Sequence, residues 1–163
     1  MAPRRQFLFT LGAGAIGTLS GLLLTPVARA AKAYAVTHTE AEWKKLLTAE
    51  QFEVLRQAGT ERPYSSPLDK EKRVGTFSCA GCKLPLFSSA TKFDSRTGWP
   101  SFYKPMDNAV EKTADNSLGM SRDEVLCTRC GGHLGHVFDD GPPPTGLRYC
   151  MNGLAMTFTP QAA

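Results

Sequence analysis

The stretch CTRCGGHLGHVFDDGPPPTGLRYCMNGLAMTF, residues 127–158, is where the reading of this chain begins. It opens on a Cys-x-x-Cys pair, Cys127 and Cys130, and two histidines follow closely, His133 and His136. Residues 135–138 read as a strand, 139–146 as a turn rich in Asp, Gly and Pro, and 147–151 and 155–159 as returning strands. Such a hairpin brings a thiol, an imidazole, a guanidinium and an amide together. Side chains alternate along an extended strand, so Arg148, Cys150 and Asn152 share one face and Tyr149 and Met151 turn to a core.

Upstream, residues 74–78, 84–87, 110–112 and 124–126 have the same short strand-like pattern, divided by Gly, Pro, Asn and Asp. Successive strands without helical patterns between them argue for antiparallel sheet. Helices are expected only near the N-terminus. Thr39 with Glu42 and Thr48 with Gln51 each form a capping box. Trp43, Leu46 and Leu47 then make one apolar face and Phe52, Leu55 and Ala58 the next, with Gly59 as the stop. Residues 60–72 are a polar connector whose Glu61-Arg62-Pro63-Tyr64 belongs at a site rim.

The chain of 163 residues has room for one domain of ordinary size, expected over residues 31–163. Its formal charge of +4 falls to +1 once Arg4, Arg5 and Arg29 in the acid-free residues 1–30 are set aside. A nearly neutral body gives no electrostatic case for nucleic acid. Residues 1–30 read as an export signal: adjacent arginines, an uncharged run from Phe7 to Val27, then Ala28-Arg29-Ala30 as a small-x-small cleavage site. The run approaches the length of a membrane span. Its glycines, serines and threonines favour a cleaved signal over a permanent anchor. The paired arginines resemble a twin-arginine signal, so an exported, periplasmic protein handled by the export machinery is expected.

Five cysteines are present. Cys79-x-x-Cys82 and Cys127-x-x-Cys130 supply four thiolates, the donor set of a closed, tetrahedral, structural zinc site. The separation between the pairs exceeds that of a simple zinc ribbon, so strands must be inserted between the knuckles. Two disulfides are the alternative in an oxidising compartment, and a Cys127/Cys130/His133/His136 site is another. Cys150 is left over, with Arg148 and the histidines as candidates to favour its thiolate, the reactive form of a cysteine. The rigid aromatic run Thr97-Gly98-Trp99-Pro100-Ser101-Phe102-Tyr103 offers an apolar wall for a small group such as a methyl beside sulfur.

Phe77-Ser78-Cys79-Ala80-Gly81-Cys82, Gly98-Trp99-Pro100-Ser101-Phe102, residues 131–142 and residues 147–153 stand in an order that resembles the B-type peptide-methionine (R)-S-oxide reductases. The resemblance implies a mainly β fold of two antiparallel sheets with short N-terminal helices and a structural zinc held by Cys79, Cys82, Cys127 and Cys130. It implies Cys150 as the nucleophile toward R-methionine sulfoxide in oxidised proteins, His136 as the proton donor with His133 beside it, and Asn152 and Arg148 as orienting groups. Trp99, with Phe102, is implied to contact the substrate. Many members carry a resolving cysteine where this chain has Thr97. Recycling is therefore expected from an external thiol such as thioredoxin, on a monomeric enzyme. A zinc-stabilised binding module with an inert Cys150, and a disulfide oxidoreductase working through one Cys-x-x-Cys pair, are the competing readings.

Overall fold

The computed structural model describes residues 32–162, apart from the side chain of residue 118. The expected export signal and its cleavage site lie outside the described residues. Among those described, no helix is long and apolar enough to cross a membrane.

Both helices start at their expected caps. Thr39 Oγ1 accepts from the Glu42 N–H at 3.3 Å and the Glu42 carboxylate accepts from the Thr39 N–H at 2.7 Å, opening α1 (Glu40–Leu46). Thr48 and Gln51 make the equivalent pair at 3.2 Å each and open α2 (Ala49–Gln57). Two residues depart from the expected faces. Leu46 is 59% exposed, because the short helix ends there and Leu47, in extended conformation, turns inward instead. Ala58 is exposed and itself adopts the left-handed conformation (φ 53°) that the sequence suggested for Gly59. The buried face is Trp43, Leu47, Phe52, Val54 and Leu55.

The remainder is antiparallel sheet. A three-stranded sheet places β1 (Gly75–Cys79) between β2 (Pro85–Ser88) and β9 (Met156–Pro160). A six-stranded sheet runs β3 (Lys92–Phe93), β4 (Ser101–Phe102), β8 (Arg148–Met151), β7 (His133–Phe138), β6 (Arg122–Cys127), β5 (Val110–Asp115). All strand pairs are antiparallel. The expected strands appear with ends shifted by a few residues, whereas β3 and β4 were not foreseen. Each has two residues, too few to show a period, and β4 follows Pro100 within the aromatic run.

The core lies between the sheets. Phe102 from β4 stacks on Phe87 of β2 at 4.3 Å between centroids and meets Phe77 of β1 edge-on at 5.0 Å. Tyr149 is 5.9 Å from Phe87. Tyr149 and Met151 are buried, so the alternation predicted for β8 holds and Cys150 looks away from the core. Phe102 is fully buried among these rings and does not face the cavity described below, which corrects its expected place on the substrate side.

Candidate active site

Register fixes the neighbours of Cys150. Its cross-strand partner on β4 is Ser101 and on β7 is His136. The three stand side by side across the middle of the larger sheet. A cavity of about 150 Å³ opens over this row, lined by Thr60, Trp99, Arg122, Gly135, His136, Phe138, Cys150 and Asn152.

A bulge sets the histidines. Val125 pairs with Gly135 and Leu126 with His133, so Leu134 is an extra residue in β7. Without it His133 and His136 would point to opposite faces; the bulge turns them to the same one. Their rings meet edge-on at 5.4 Å. Gly135 within the bulge runs so close to β8 that a Cβ there would collide with the Cys150 carbonyl oxygen.

Each histidine holds a carboxylate. His133 Nδ1 lies 2.6 Å from Glu124 Oε1. Burial pushes the His133 ring below its usual pKa, against the pull of Glu124, and its Nε2 is buried without a hydrogen-bond partner among the described residues. His136 Nε2 lies 2.8 Å from Asp115 Oδ2, to which Arg122 also donates at 2.6 Å. Hydrogen bonds from Ser117, then His136 and the Arg122 charge, hold the Asp115 carboxyl well below the usual carboxylate range.

Arg148 is likewise committed. It donates twice to Asp140, at 2.8 Å each, and stacks over Phe138 at 4.3 Å. Burial pushes the Cys150 thiol above its ordinary value, opposed by the Thr97 hydroxyl, by Arg148 and by the Ser101 hydroxyl. Thr97 Oγ1 sits 3.8 Å from Cys150 Sγ. The cations expected to favour the thiolate therefore do not outweigh burial in the free protein.

Glu61 ties the rim to the active strand. Its N–H donates to Asn152 Oδ1 at 3.0 Å and its carbonyl accepts from Trp99 Nε1 at 3.2 Å. Its buried carboxylate accepts from the N–H groups of Gly153 at 2.6 Å and Leu154 at 2.9 Å. Asn152 completes its own set by donating to the Leu134 carbonyl at 3.2 Å. The sequence placed Glu61 at a rim but gave no sign of this bridging. Asp115, Arg122, Glu124 and the hydroxyls around Thr97 were missed, because they lie on separate elements that only the sheet register brings together.

The four paired cysteines form a second centre. All their sulfurs lie within 4.8 Å of one another. Cys79 and Cys130 are 3.8 Å apart and Cys82 and Cys127 are 3.5 Å apart. Four sulfurs around a metal at about 2.3 Å must stand about 3.8 Å from each other, so the donors fit a tetrahedral ion. All five cysteines are free thiols, and each pair is drawn to the other pair rather than to itself. The left-handed residue of each knuckle follows its second cysteine, at Lys83 (φ 62°) and Gly131 (φ 66°). Gly81, inside the first pair, is not where that turn is made.

Comparison with known proteins agrees with this geometry. A family model described as the SelR domain matches residues 47–160. A peptide methionine sulfoxide reductase MsrB of Leptospira interrogans serogroup Icterohaemorrhagiae serovar Lai (strain 56601) is 54% identical over 126 residues, 77% of this chain and 96% of the relative. One from Pseudomonas putida (strain W619) is 54% identical over 127 residues, again 77% and 96%. One from Methanosarcina barkeri (strain Fusaro / DSM 804) is 56% identical over 125 residues, 76% and 88%. The chain belongs to the MsrB family. The matched residues of this MsrB member include both sheets, the cavity and all five cysteines. The N-terminal segment lies outside the SelR match.

Proposed function

We propose that this protein reduces the R epimer of methionine sulfoxide in oxidised proteins, with Cys150 as nucleophile and an external thiol as the source of electrons. The reading is supported most by one arrangement: Cys150, His136, Asn152 and Trp99 line a single cavity of about 150 Å³. Pockets for drug-sized ligands start at roughly 300 Å³, so this one suits the end of one side chain, such as a methyl sulfoxide.

In the proposed reaction the Cys150 thiolate attacks the sulfoxide sulfur. The sulfur–oxygen bond breaks, the oxygen passes to Cys150 with one proton, and the products are methionine and a cysteine sulfenic acid. His136 supplies the proton, with Asp115 fixing the hydrogen on Nε2 and leaving the other ring nitrogen for transfer. Trp99, pinned through its indole N–H to Glu61, packs against the methyl group. Asn152 and Arg148 hold the strand end and the local charge. An external thiol then attacks the sulfenic sulfur, releases water and leaves a mixed disulfide, which a second thiol resolves. Thr97 lies beside Cys150 and offers no thiol. The other four cysteines cluster with one another and are assigned to the proposed metal centre.

Zinc is the ion proposed for Cys79, Cys82, Cys127 and Cys130. Four thiolates leave no open position, so its contribution is structural. Residues 1–30 are proposed to direct export through a twin-arginine route and then to be removed. Terminal sequencing of the protein from an extracytoplasmic fraction tests this, and an intact N-terminus retained in membranes would overturn it.

The central test offers residues 31–163 a peptide methionine sulfoxide resolved into its epimers, with dithiothreitol as reductant. The expected result is consumption of the R epimer alone, lost in Cys150→Ser. A folded, zinc-loaded sample that turns over neither epimer would instead support a binding module with an inert Cys150.

A further inference from the structure

Behind Cys150 lies a row of three hydroxyls that the chemistry above does not use. Thr97 Oγ1 is 3.8 Å from Cys150 Sγ and 2.8 Å from Ser95 Oγ. Ser95 Oγ is 2.7 Å from Ser101 Oγ. Ser101 Oγ reaches the Trp99 carbonyl at 3.1 Å. Ser101 is fully buried and is also the cross-strand partner of Cys150. A hydroxyl has one hydrogen and two lone pairs, so this row has two self-consistent settings. When Cys150 is a thiol, each group donates away from sulfur and the last hydrogen goes to the Trp99 carbonyl. When Cys150 is a thiolate, every hydroxyl rotates and the donors run toward sulfur.

We propose that Thr97, Ser95 and Ser101 form a reversible hydroxyl relay whose donors turn toward Cys150 when its proton leaves for solvent, and turn back to the Trp99 carbonyl when sulfur is neutral again. Ser95 is thus a positioning residue that acts through Thr97, while Ser101 acts through that row, through the register of β4 and on the sulfur itself. The charged groups facing Cys150 explain why neutral donors matter. Arg148 on its own strand is bidentate to Asp140, His136 on β7 is paired with Asp115, and Arg122 across the cavity is paired with the same carboxylate. β4 and the loop before it bring hydroxyls and the indole. Burial opposes ionisation of Cys150, and the Thr97 and Ser101 hydroxyls counter it. This inference deepens the reductase reading and rests on it for its purpose.

The test follows alkylation of Cys150 by iodoacetamide against pH in the zinc-loaded protein without substrate. Ser95→Ala is expected to raise the midpoint by about half to one pH unit, the effect of one neutral hydrogen bond. Ser95→Thr, which keeps the hydroxyl, should restore it. Thr97→Val should raise it likewise and Thr97→Ser should not, which keeps the test alive if Ser95→Ala fails to fold. A folded Ser95→Ala with an unchanged midpoint overturns the relay even if Thr97→Val shifts it, since the donors at sulfur would then act independently of the row. Turnover of the R epimer by the unmodified protein, measured in parallel, separates the two ideas. Its absence sinks the reductase reading and leaves the alkylation result standing.

Discussion

At Cys150, burial raises the thiol while the hydroxyls and Arg148 lower it, and burial is the larger influence. The sign for reactivity follows directly. A thiol held above the ordinary value of about 8.5 is mostly protonated at neutral pH, so the thiolate fraction and the alkylation rate must climb through the alkaline range. Measured against glutathione, the midpoint for Cys150 should lie at the higher pH; a midpoint below that of glutathione would contradict the burial argument. His136 carries a second residue-scale prediction. Replacing a positioned proton donor costs typically 10²–10⁴-fold in rate, so His136→Gln should lower kcat on the R epimer by about that range. Substrate binding, read as KM, should change far less because Trp99 and Asn152 stay in place. A Gln variant with unchanged kcat would remove His136 from the proton path. The pattern Arg-x-Cys-x-Asn made one face of β8 legible from the sequence. The paired state of Arg148 and His136 was not, because Asp140 lies in the irregular turn before β8 and Asp115 on an edge strand two strands away from His136 in the sheet.

At the scale of elements, Glu61 joins the connector after α2 to the end of β8. Its carboxylate satisfies two backbone N–H groups at Gly153 and Leu154, and its own backbone holds Asn152 and Trp99. Glu61→Ala leaves those two donors near the core without a partner, at about 1–3 kcal/mol for an unsatisfied group. The melting temperature should fall by several degrees, and activity should fall with it as the rim loosens. Glu61→Gln keeps one acceptor and should fall less. Burial raises the Glu61 carboxyl, so its linkage has the sign opposite to that of Asp115. Protonation of Glu61 is favoured by the fold, and its effect on stability rises as pH drops through its folded pKa. Asp115, held low, contributes stability above its unfolded value that is lost as pH falls toward the folded one. Thermal melts between pH 7 and 3 should therefore show the deficit of Glu61→Gln widening toward acid, as the parent gains stability that the variant cannot, while the deficit of Asp115→Asn narrows as the parent loses its own; parallel curves for Glu61→Gln would refute this. Helix caps and the longer strands were legible because each is written in a few neighbouring residues. The β7 bulge and the two-residue β4 were not, since a bulge changes register without changing composition and β4 has no period. Those two irregularities bring His133 and Ser101 to the site.

For the whole molecule the four-cysteine cluster, holding the proposed zinc, would be the fastener. One knuckle follows β1 of the smaller sheet and the other follows β6 of the larger, so their four sulfurs meet where an ion bound by all four would tie the two sheets at one end. At the other end of the chain β9 returns to pair with β1, from Gly75 with Pro160 to Cys79 with Met156. The core rings then have sheets fixed on both sides. The spacing of the two pairs was legible in the sequence as a donor set; that it spans the sheets was not, because the intervening strands belong to different sheets. Ion binding that requires the folded geometry contributes directly to folding. Removing zinc with a strong chelator should lower the melting temperature by about 10 °C or more, given the several kcal/mol such sites contribute, and one equivalent of zinc should restore it. Thiol titration supplies the control. The native, loaded protein should react at Cys150 alone, and the chelated protein at up to five thiols, matching its five cysteines. Activity should fall in step with unfolding rather than with metal loss below the new transition, because a site closed by four thiolates would take no part in the chemistry. A chelated protein that keeps its melting temperature while all five thiols become reactive would show that packing between Phe77, Phe87 and Phe102 holds the sheets without the metal.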